Sequence, residues 1–423
     1  MDRQQQMDWL LAVHLDNDPG HREVLEQYLL PDPQLQQLHG QFAENTITNY
    51  LLPFSIAPNF IINGKPHSIP MVIEESSVVA AASKAAKFWS LRGGFQTEVV
   101  DTIKVGQVHF TYTGTGQQLK DFFAFAKAQL QATLAPLSAS MEKRGGGLID
   151  IELRDKTADL DHYYQLHCSF RTADAMGANY INTCLEAVAS RLRELAAEHL
   201  KGDLEVVMSI LSNYVPQCIV RASVWCPVSD LGTVNGLTGE HFARKFVQAL
   251  EIARIEPYRA VTHNKGIMNG VDAVVLATGN DFRAVAAGVH AYASRDGQYR
   301  SLSTASVKDG IFNFSIELPL ALGTVGGLTK LHPLVRTSLA ILDQPTASQL
   351  MEIVAVAGLA QNFGAIHSLV TTGIQKGHMK MHLRNLITQL EASPSEMQEL
   401  LARFKDRDVS ATAVREELEL LRA

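Results

Sequence analysis

The sequence predicts an α+β protein, in which a mainly helical large domain carries an inserted ferredoxin-like domain. Strand and helix patterns alternate as β-α-β-β-α-β between residues 103 and 212, whereas longer apolar helical patterns lie on either side. The charged last stretch also has a helical pattern. We therefore expect a large domain of 1–102 and 213–374, a small domain of 103–212 and a C-terminal helical flap of 375–423.

The individual elements follow from hydrophobic periodicity and from the turn residues that bound each run. Before the small domain we expect short helices over 1–40, an extended run near Val72 and a helix over 78–91 that is capped by Ser76 or Ser77. Within the small domain we expect a strand at 105–113, a helix at 117–134, strands at 147–154 and 162–170, a helix at 178–199 and a strand at 204–212. After it we expect a strand at 217–225, a helix at 239–255, a hairpin within 300–317 and helices from Pro333 onward.

The segment from Tyr258 to Arg283 places charged residues on either side of an apolar run. The run at 271–277 is β-branched and continuously apolar, which predicts a buried strand. Lys265 would then lie on a tight loop before the strand. Asp281 would lie in the first turn of the helix that follows, where the helix dipole favours a carboxylate.

Composition excludes several classes of protein. The net charge of −7 and the absence of a basic run argue against a nucleic-acid partner. The apolar N-terminal run is too short and too acidic for a signal peptide, and no uncharged apolar segment approaches the roughly 18–20 residues that span a bilayer. Four scattered cysteines indicate buried, reduced thiols and a cytoplasmic protein.

Two glycine-containing motifs leave alternatives open. DAMGANYINT, at 174–183, puts Gly177 at the start of a helix that follows a strand, which suits either a phosphate group or close helix–sheet packing. RGGG, at 144–147, is either a flexible turn or a place where the backbone approaches a ligand closely. No GxGxxG fingerprint accompanies them.

Acidic and basic side chains occur at several predicted junctions between loops and elements. Glu75, Lys265, Asp281 and His378 together could polarise and protonate a carbonyl, although each alone could be a solvated surface charge. His378 and His382 have a spacing that can bind zinc, but the glutamate of HExxH is missing, so we predict no metal site. His378 follows Gly377, a position that suits a mobile proton donor.

These segments together resemble the 3-hydroxy-3-methylglutaryl-CoA (HMG-CoA) reductase family, in its soluble class II form. The similarity extends from about Glu44 to Asn385. It rests on the ordered motifs IPMVIEESSVVAAAS, RGGG, DAMGANYINT, ILSNY, PYRAVTHNKGIMNGVDAVVLATGNDFRAV, GLAQNFGAI and GIQKGHM.

The resemblance implies a function and a set of site residues. The family reduces HMG-CoA to mevalonate and CoA with two hydrides from NAD(P)H, or runs in reverse, and it is dimeric with a site shared between subunits. Carried onto this sequence, its catalytic residues are Glu75, Lys265, Asp281 and His378, its acyl-group contacts are Ser77, Arg259, Asn269 and Gln361, and its nicotinamide contacts are Asp174, Met176, Gly177 and Asn179.

The family pattern is not matched at every position. Thr48 replaces a glycine and Ser76 replaces a proline. Ser138 occupies the place where NAD-preferring relatives carry an acidic residue. Because Lys143 and Arg144 are close by and cationic, we expect NADPH or tolerance of both cofactors. The competing hypotheses are a CoA-ester binding or acyl-transfer protein without redox activity, and a zinc hydrolase that uses His378 and His382.

Overall fold

The computed structural model of the protein describes residues 1–373, 383–384, 386–404, 407 and 409–422. Its strands are β1 (Phe54–Ile62), β2 (Lys65–Val72), β3 (Gln96–Val99), β4 (Lys104–Tyr112), β5 (Gly147–Asp155), β6 (Tyr163–Arg171), β7 (Leu204–Leu211), β8 (Ile219–Pro227), β9 (Ser303–Lys308) and β10 (Ile311–Pro319). Its α-helices are α1 (Arg3–His14), α2 (Pro19–Gln27), α3 (Pro33–His39), α4 (Val78–Ser90), α5 (Gly116–Thr133), α6 (Ala135–Glu142), α7 (Ala178–His199), α8 (Gly239–Ile255), α9 (Pro257–Ala277), α10 (Phe282–Ala293), α11 (Leu328–Leu331), α12 (Pro333–Ile341), α13 (Ala347–Val370), α14 (Pro394–Arg403) and α15 (Ala411–Arg422).

The chain divides into two compact units, and the first covers Met1–Pro53. This unit contains α1, α2 and α3, as the sequence predicts. Each helix starts at an aspartate whose carboxylate accepts backbone N–H groups of the first turn, namely Asp2, Asp18 and Asp32. Aspartate is favoured at this position because it satisfies amides that have no partner within the helix.

The second unit, from Phe54 onward, includes the predicted β-α-β-β-α-β arrangement. Strands β4 to β7 form an antiparallel sheet in the order β5-β6-β4-β7. Helices α5 and α7 share an apolar core with it, which includes the fully buried Phe110, Phe170 and Leu185. The ferredoxin-like prediction is therefore confirmed, although the sequence analysis missed α6.

A second four-stranded sheet has the order β3-β8-β10-β9. Its β9–β10 hairpin turns at Asp309 and Gly310, whose φ angles are 52° and 75°. A two-residue turn with both φ angles positive matches the twist of the strands that it joins. The predicted hairpin is confirmed here. Strands β1 and β2 form a separate antiparallel pair that leads into α4.

Helix α13 is the centre of the main apolar core. It is 24 residues long and 16 of these residues are buried, because other helices and strands contact it on several sides. By length and composition it could cross a membrane, contrary to our expectation that no segment would qualify. However, 72% of its most apolar window is buried inside the protein.

The predicted strand at 271–277 is wrong. Helix α9 runs unbroken through Lys265, Asn269 and Gly270 to Ala277, so the tight loop predicted at Lys265 does not exist. A helix and a strand that are both buried on all sides have the same continuous apolar pattern. Gly270 is needed for packing, since a Cβ there would lie 2.5 Å from the carbonyl oxygen of Ala357 on α13.

The described part of the C-terminal tail is helical, as predicted. Helices α14 and α15 share a small apolar core whose buried members are Leu383, Ile387, Leu400, Phe404, Val414 and Leu418. Each of these two helices is amphipathic, because it buries apolar side chains in this core (Leu400 on α14, Val414 and Leu418 on α15) and carries charged residues elsewhere.

Candidate active site

The structure joins Lys265 and Glu75 in an ion pair. The Lys265 Nζ lies 2.7 Å from the Glu75 Oε2. Lys265 is on the middle of α9, while Glu75 is in the short segment between β2 and α4, so two separate parts of the fold bring the pair together. The side chains are 60% and 39% exposed, which leaves both open to a ligand.

Ser77 follows Glu75 and starts α4 with an unusual backbone. Its φ of 76° is left-handed, a conformation that a non-glycine residue seldom adopts. Ser77 occupies the N-cap position of α4, one of the two positions that we predicted, but its side chain makes no capping hydrogen bond. The Ser77 hydroxyl is therefore not used in capping α4.

Asn269 and Gln361 lie on two helices that pack together, α9 and α13. Asn269 lies one turn after Lys265 and is half-buried. Gln361, on α13, is 6% exposed, and its Cβ would be 2.9 Å from a Cβ on Gly270. Among the described residues, its Oε1 is one of the few buried side-chain oxygens without a hydrogen-bond partner. An approaching donor group would satisfy this oxygen.

Asp272 is a further acidic group on the same helical face, two turns after Lys265. Burial raises its pKa to about 6. Its Oδ1 is buried and has no hydrogen-bond partner within the part of the chain that the structure describes. Our sequence analysis missed Asp272, because a strand would have placed it differently from Lys265. If 257–277 is read as a helix, the seven positions between Lys265 and Asp272 correspond to two turns and place both residues on one face.

Arg259 lies in the first turn of α9 and is half-buried. Its backbone N–H donates to the Glu256 carboxylate, 2.7 Å away. Burial lowers the pKa of the guanidinium. Within the described residues, no carboxylate forms an ion pair with it, so a partly desolvated cation is left available to an anion.

Asp281 starts α10 as its N-cap, close to the predicted position. Its Oδ1 accepts the backbone N–H groups of Arg283 and Ala284, and the Arg283 guanidinium contacts the carboxylate at 3.0 Å. Burial alone would raise its pKa, but these hydrogen bonds hold the pKa below its ordinary value. Its described hydrogen-bond partners therefore lie in the first turn of α10.

The turn before α7 carries the predicted nicotinamide contacts. Gly177 is the N-cap of α7 with a φ of 100°, and no side chain caps the exposed amides. The Asp174 carboxylate accepts the Ala347 N–H at the start of α13, 2.8 Å away. Met176 lies against Gly323, where an added Cβ would be 2.4 Å from the Met176 nitrogen. Asn179 follows in the first turn of α7.

The Ser138 side chain is buried inside the protein. It is 2% exposed on α6, and its Oγ lies 2.7 Å from the Tyr180 hydroxyl. Ser138 is therefore not open to a ribose hydroxyl here, whereas Lys143 and Arg144 are exposed. In the glycine triplet, a Cβ on Gly146 would be 2.6 Å from the Arg171 carbonyl oxygen, so its close backbone approach is to the protein itself.

The histidines of the predicted flap, His378 and His382, lie outside the described residues. In the parts of the chain that are described, no group of three or more His, Cys, Asp or Glu side chains could hold a metal ion. All four cysteines are buried and free, as the sequence predicts.

Solved structures of class II reductases share this fold. A 3-hydroxy-3-methylglutaryl-coenzyme A reductase from Streptococcus pneumoniae is 37% identical with a TM-score of 0.75, over 95% of this chain and 97% of that one. A second, described as the class II enzyme of the same organism bound to NADPH in open conformations, has the same identity and a TM-score of 0.74, over 95% of this chain and 99% of that one. The architecture is therefore of the class II type.

The sequence comparisons agree with the structural ones. The family model for hydroxymethylglutaryl-coenzyme A reductase matches residues 18–383. The 3-hydroxy-3-methylglutaryl-coenzyme A reductase of Archaeoglobus fulgidus is 38% identical, over 96% of this chain and 90% of that protein. A probable reductase of the same kind from Borreliella burgdorferi is 33% identical, over 87% of this chain and 84% of that protein. The chain belongs to the hydroxymethylglutaryl-coenzyme A reductase family.

Proposed function

We propose that this protein reduces HMG-CoA to mevalonate and free CoA, with two molecules of NADPH or NADH. The observation that carries the proposal is the Lys265–Glu75 ion pair, with its 2.7 Å contact, on a partly exposed surface. Family membership supplies the substrate class. An ammonium beside a carboxyl group suits a reaction in which an oxyanion forms and is then protonated.

The first half of the reaction needs a positive charge at the thioester oxygen. A hydride from the nicotinamide adds to the thioester carbon and converts the carbonyl to a hemithioacetal oxyanion. The Lys265 ammonium stabilises this charge as it develops. Collapse of the intermediate breaks the carbon–sulfur bond and gives an aldehyde and a CoA thiolate, which takes a proton from His378 in our scheme.

The second half needs a proton at the aldehyde oxygen. As a second hydride adds to the aldehyde carbon, Glu75 donates a proton to the oxygen and mevalonate forms. Asp281 serves as the second carboxylate, which orients Lys265 after exchanging its present partner. Its contact with Arg283 is solvent-exposed, at 44% and 77% for the two side chains, and such contacts are exchanged at little cost.

Four residues of this chain suit the acyl group of the substrate. We assign Arg259 to the free carboxylate, because it is half-buried and has no acidic partner among the described residues. Gln361, whose side-chain oxygen has no described partner, and Asn269 on the neighbouring helix would bind polar groups nearer the reacting carbon. Ser77, whose hydroxyl does not cap α4, completes the set.

We place the cofactor at the turn of Asp174, Met176, Gly177 and Asn179, where α7 begins with uncapped amides. A helix N-terminus of this kind favours an anionic group. The exposed Lys143 and Arg144 support a preference for NADPH over NADH, because they could pair with its additional phosphate. Initial rates with each cofactor test this preference, and a higher kcat/KM with NADH would refute it.

We further propose a homodimer, or a higher homo-oligomer, with shared active sites, that works in the cytoplasm. The four free, buried cysteines fit a reducing compartment. Light scattering on a sizing column measures the assembly directly, and a mass close to that of one 46.4 kDa chain would refute the dimer.

The decisive experiment for this function measures how many nicotinamides are oxidised for each CoA thiol that is released. Purified protein is mixed with HMG-CoA and excess NADPH, and the loss of nicotinamide absorbance is compared with the release of CoA thiol. The proposal predicts two nicotinamides oxidised for each thiol released. Thiol release without nicotinamide oxidation would instead establish hydrolysis or acyl transfer.

A further inference from the structure

Lys104, the first residue of β4, is a buried cation that the proposed chemistry does not use. It is only 5% exposed, which is rare for lysine. Its Nζ donates to the Thr172 Oγ1 at 2.6 Å and to the Ala175 carbonyl at 2.8 Å. Burial lowers its pKa, and Cys218 and Asp174 oppose this effect.

The ammonium is not part of a stabilising ion pair. Within the described residues no carboxylate lies within 4.0 Å of it, and the carboxylate of Asp174 is bonded to the Ala347 amide instead. Burying a cation without a paired anion is costly, so a lysine at this position has no simple stabilising role. Its two acceptors indicate another role, since both belong to one short turn.

That turn, residues 172–177, joins β6 to α7 in a tight and strained conformation. Ala173 has a φ of 46°, which is uncommon for a residue with a side chain. Gly177 folds back over Thr172 so closely that a Cβ on it would be 2.4 Å from the Thr172 Cγ2. The Thr172 hydroxyl also donates to the Ala175 carbonyl, at 2.7 Å. Lys104 therefore joins the start of the turn, at Thr172, to its middle, at Ala175.

We propose that Lys104 is a positioning residue for the nicotinamide cofactor, acting through the turn that contacts it. This inference rests on the proposed function, which places the cofactor at Asp174 to Asn179. A trans peptide is planar, with its C=O and N–H pointing in opposite directions. Because Lys104 bonds the Ala175 carbonyl on one side of this peptide, it fixes the Met176 amide on the other side, where Gly323 packs against it.

The geometry predicts a specific pattern of binding defects. Lys104→Met keeps the length of the side chain but removes the charged donor. Of the hydrogen bonds described for the Ala175 carbonyl, the one from the Thr172 hydroxyl remains, so the Ala175–Met176 peptide is held less firmly. We expect the Kd for NADPH to rise about tenfold or more, as for the loss of a charged hydrogen bond. We expect the Kd for NADH to rise equally and the KM for HMG-CoA to change by less than about twofold, since both described hydrogen bonds of the Lys104 ammonium go to the turn.

The experiment is a titration of nicotinamide fluorescence on the whole enzyme. Thr172→Val removes the hydroxyl that bonds Lys104 and should weaken cofactor binding as well, whereas Thr172→Ser keeps the hydroxyl and should bind like wild type. Because these two variants report on the same contact, they answer the question even if Lys104→Met does not fold. Lys127→Met is the matched control, because Lys127 bonds Asp150 on the same sheet and is 36% exposed.

The possible outcomes distinguish a failure of the inference about Lys104 from a failure of the proposed function. Weaker cofactor binding in Lys104→Met and Thr172→Val, with normal binding in Thr172→Ser and Lys127→Met, supports the inference. Unchanged cofactor affinity, or an equal loss of cofactor and HMG-CoA affinity, overturns it. If the wild-type protein binds no nicotinamide, the proposed function fails first.

Discussion

Two glycines of α9, one turn apart, should respond oppositely to the same substitution. Glycine within a helix costs about 1 kcal/mol relative to alanine, so Gly→Ala is favourable where there is room. A Cβ on Gly266 would meet no atom within 4 Å. A Cβ on Gly270 would lie 2.5 Å from the Ala357 oxygen and 2.9 Å from the Ala357 carbonyl carbon, both of which are backbone atoms.

The magnitudes follow from this difference. Gly266→Ala should raise the free energy of unfolding by about 0.5–1 kcal/mol. At Gly270 the same gain is outweighed by overpacking, which typically costs about 1–3 kcal/mol and more when the neighbour is backbone. We therefore expect a net loss of about 2 kcal/mol for Gly270→Ala.

Thermal unfolding monitored by circular dichroism is a suitable assay. For a chain of this length, 1 kcal/mol corresponds to a Tm shift of about 1–2 °C. Gly266→Ala should thus melt about 1 °C above wild type and Gly270→Ala about 2–4 °C below it. If both variants were stabilised, or if Gly270→Ala were neutral, the α9–α13 packing described here would be incorrect.

Two further predictions concern single residues of the site. Arg259→Lys should raise the KM for HMG-CoA about tenfold and leave the KM for NADPH unchanged, because a lysine cannot form the bidentate contact with a carboxylate. Equal KM values for HMG-CoA in variant and wild type would contradict the assignment of Arg259 to the free carboxylate of the substrate. Asp272 has a folded pKa raised from 3.8 to about 6, so the folded protein binds this proton more tightly and loses stability as the pH rises from about 4 to about 6. The full shift corresponds to about 3 kcal/mol, or about 1–2 kcal/mol after solvent screening of this partly exposed group. Asp272→Asn should therefore be the more stable protein at pH 7 but not at pH 4 in urea titrations, and parallel pH profiles would refute this account.

Local signals in the sequence were sufficient for the small sheet and its helices. Its strands alternate inward and outward side chains, and Thr115 caps α5 through a capping box. The same signals were not sufficient for α9. The run at 271–277 is apolar on nearly every side, so its pattern fits a buried strand as well as a buried helix. Gly270 looks like a turn residue unless the helix that packs against it is known.

The sequence likewise indicated some residues of the site and missed others. The family motifs indicated Glu75 and Lys265, which lie 190 positions apart in the chain and are joined in the structure. No periodicity distinguishes Lys104 or Asp272 from solvated charges, because their burial depends on elements that are distant in sequence. Ser138 was assigned from an ungapped match, which could not show that its side chain faces Tyr180.

The central claim is that the Lys265–Glu75 pair performs chemistry instead of stabilising the fold. An exposed ion pair contributes only about 0–1 kcal/mol to stability, so Lys265→Ala and Glu75→Gln should remain folded. The Lys127–Asp150 pair has the same 2.7 Å contact and similar exposure, at 36% and 42%, and provides matched controls in Lys127→Ala and Asp150→Asn.

The most direct test measures NADPH oxidation with HMG-CoA for these four variants at equal folded concentration. We predict that turnover falls by at least about a thousandfold in Lys265→Ala and Glu75→Gln, since each loses a group that acts in the transition state. We expect it to stay within about twofold of wild type in the two controls. Substantial turnover in either Lys265→Ala or Glu75→Gln would contradict the account.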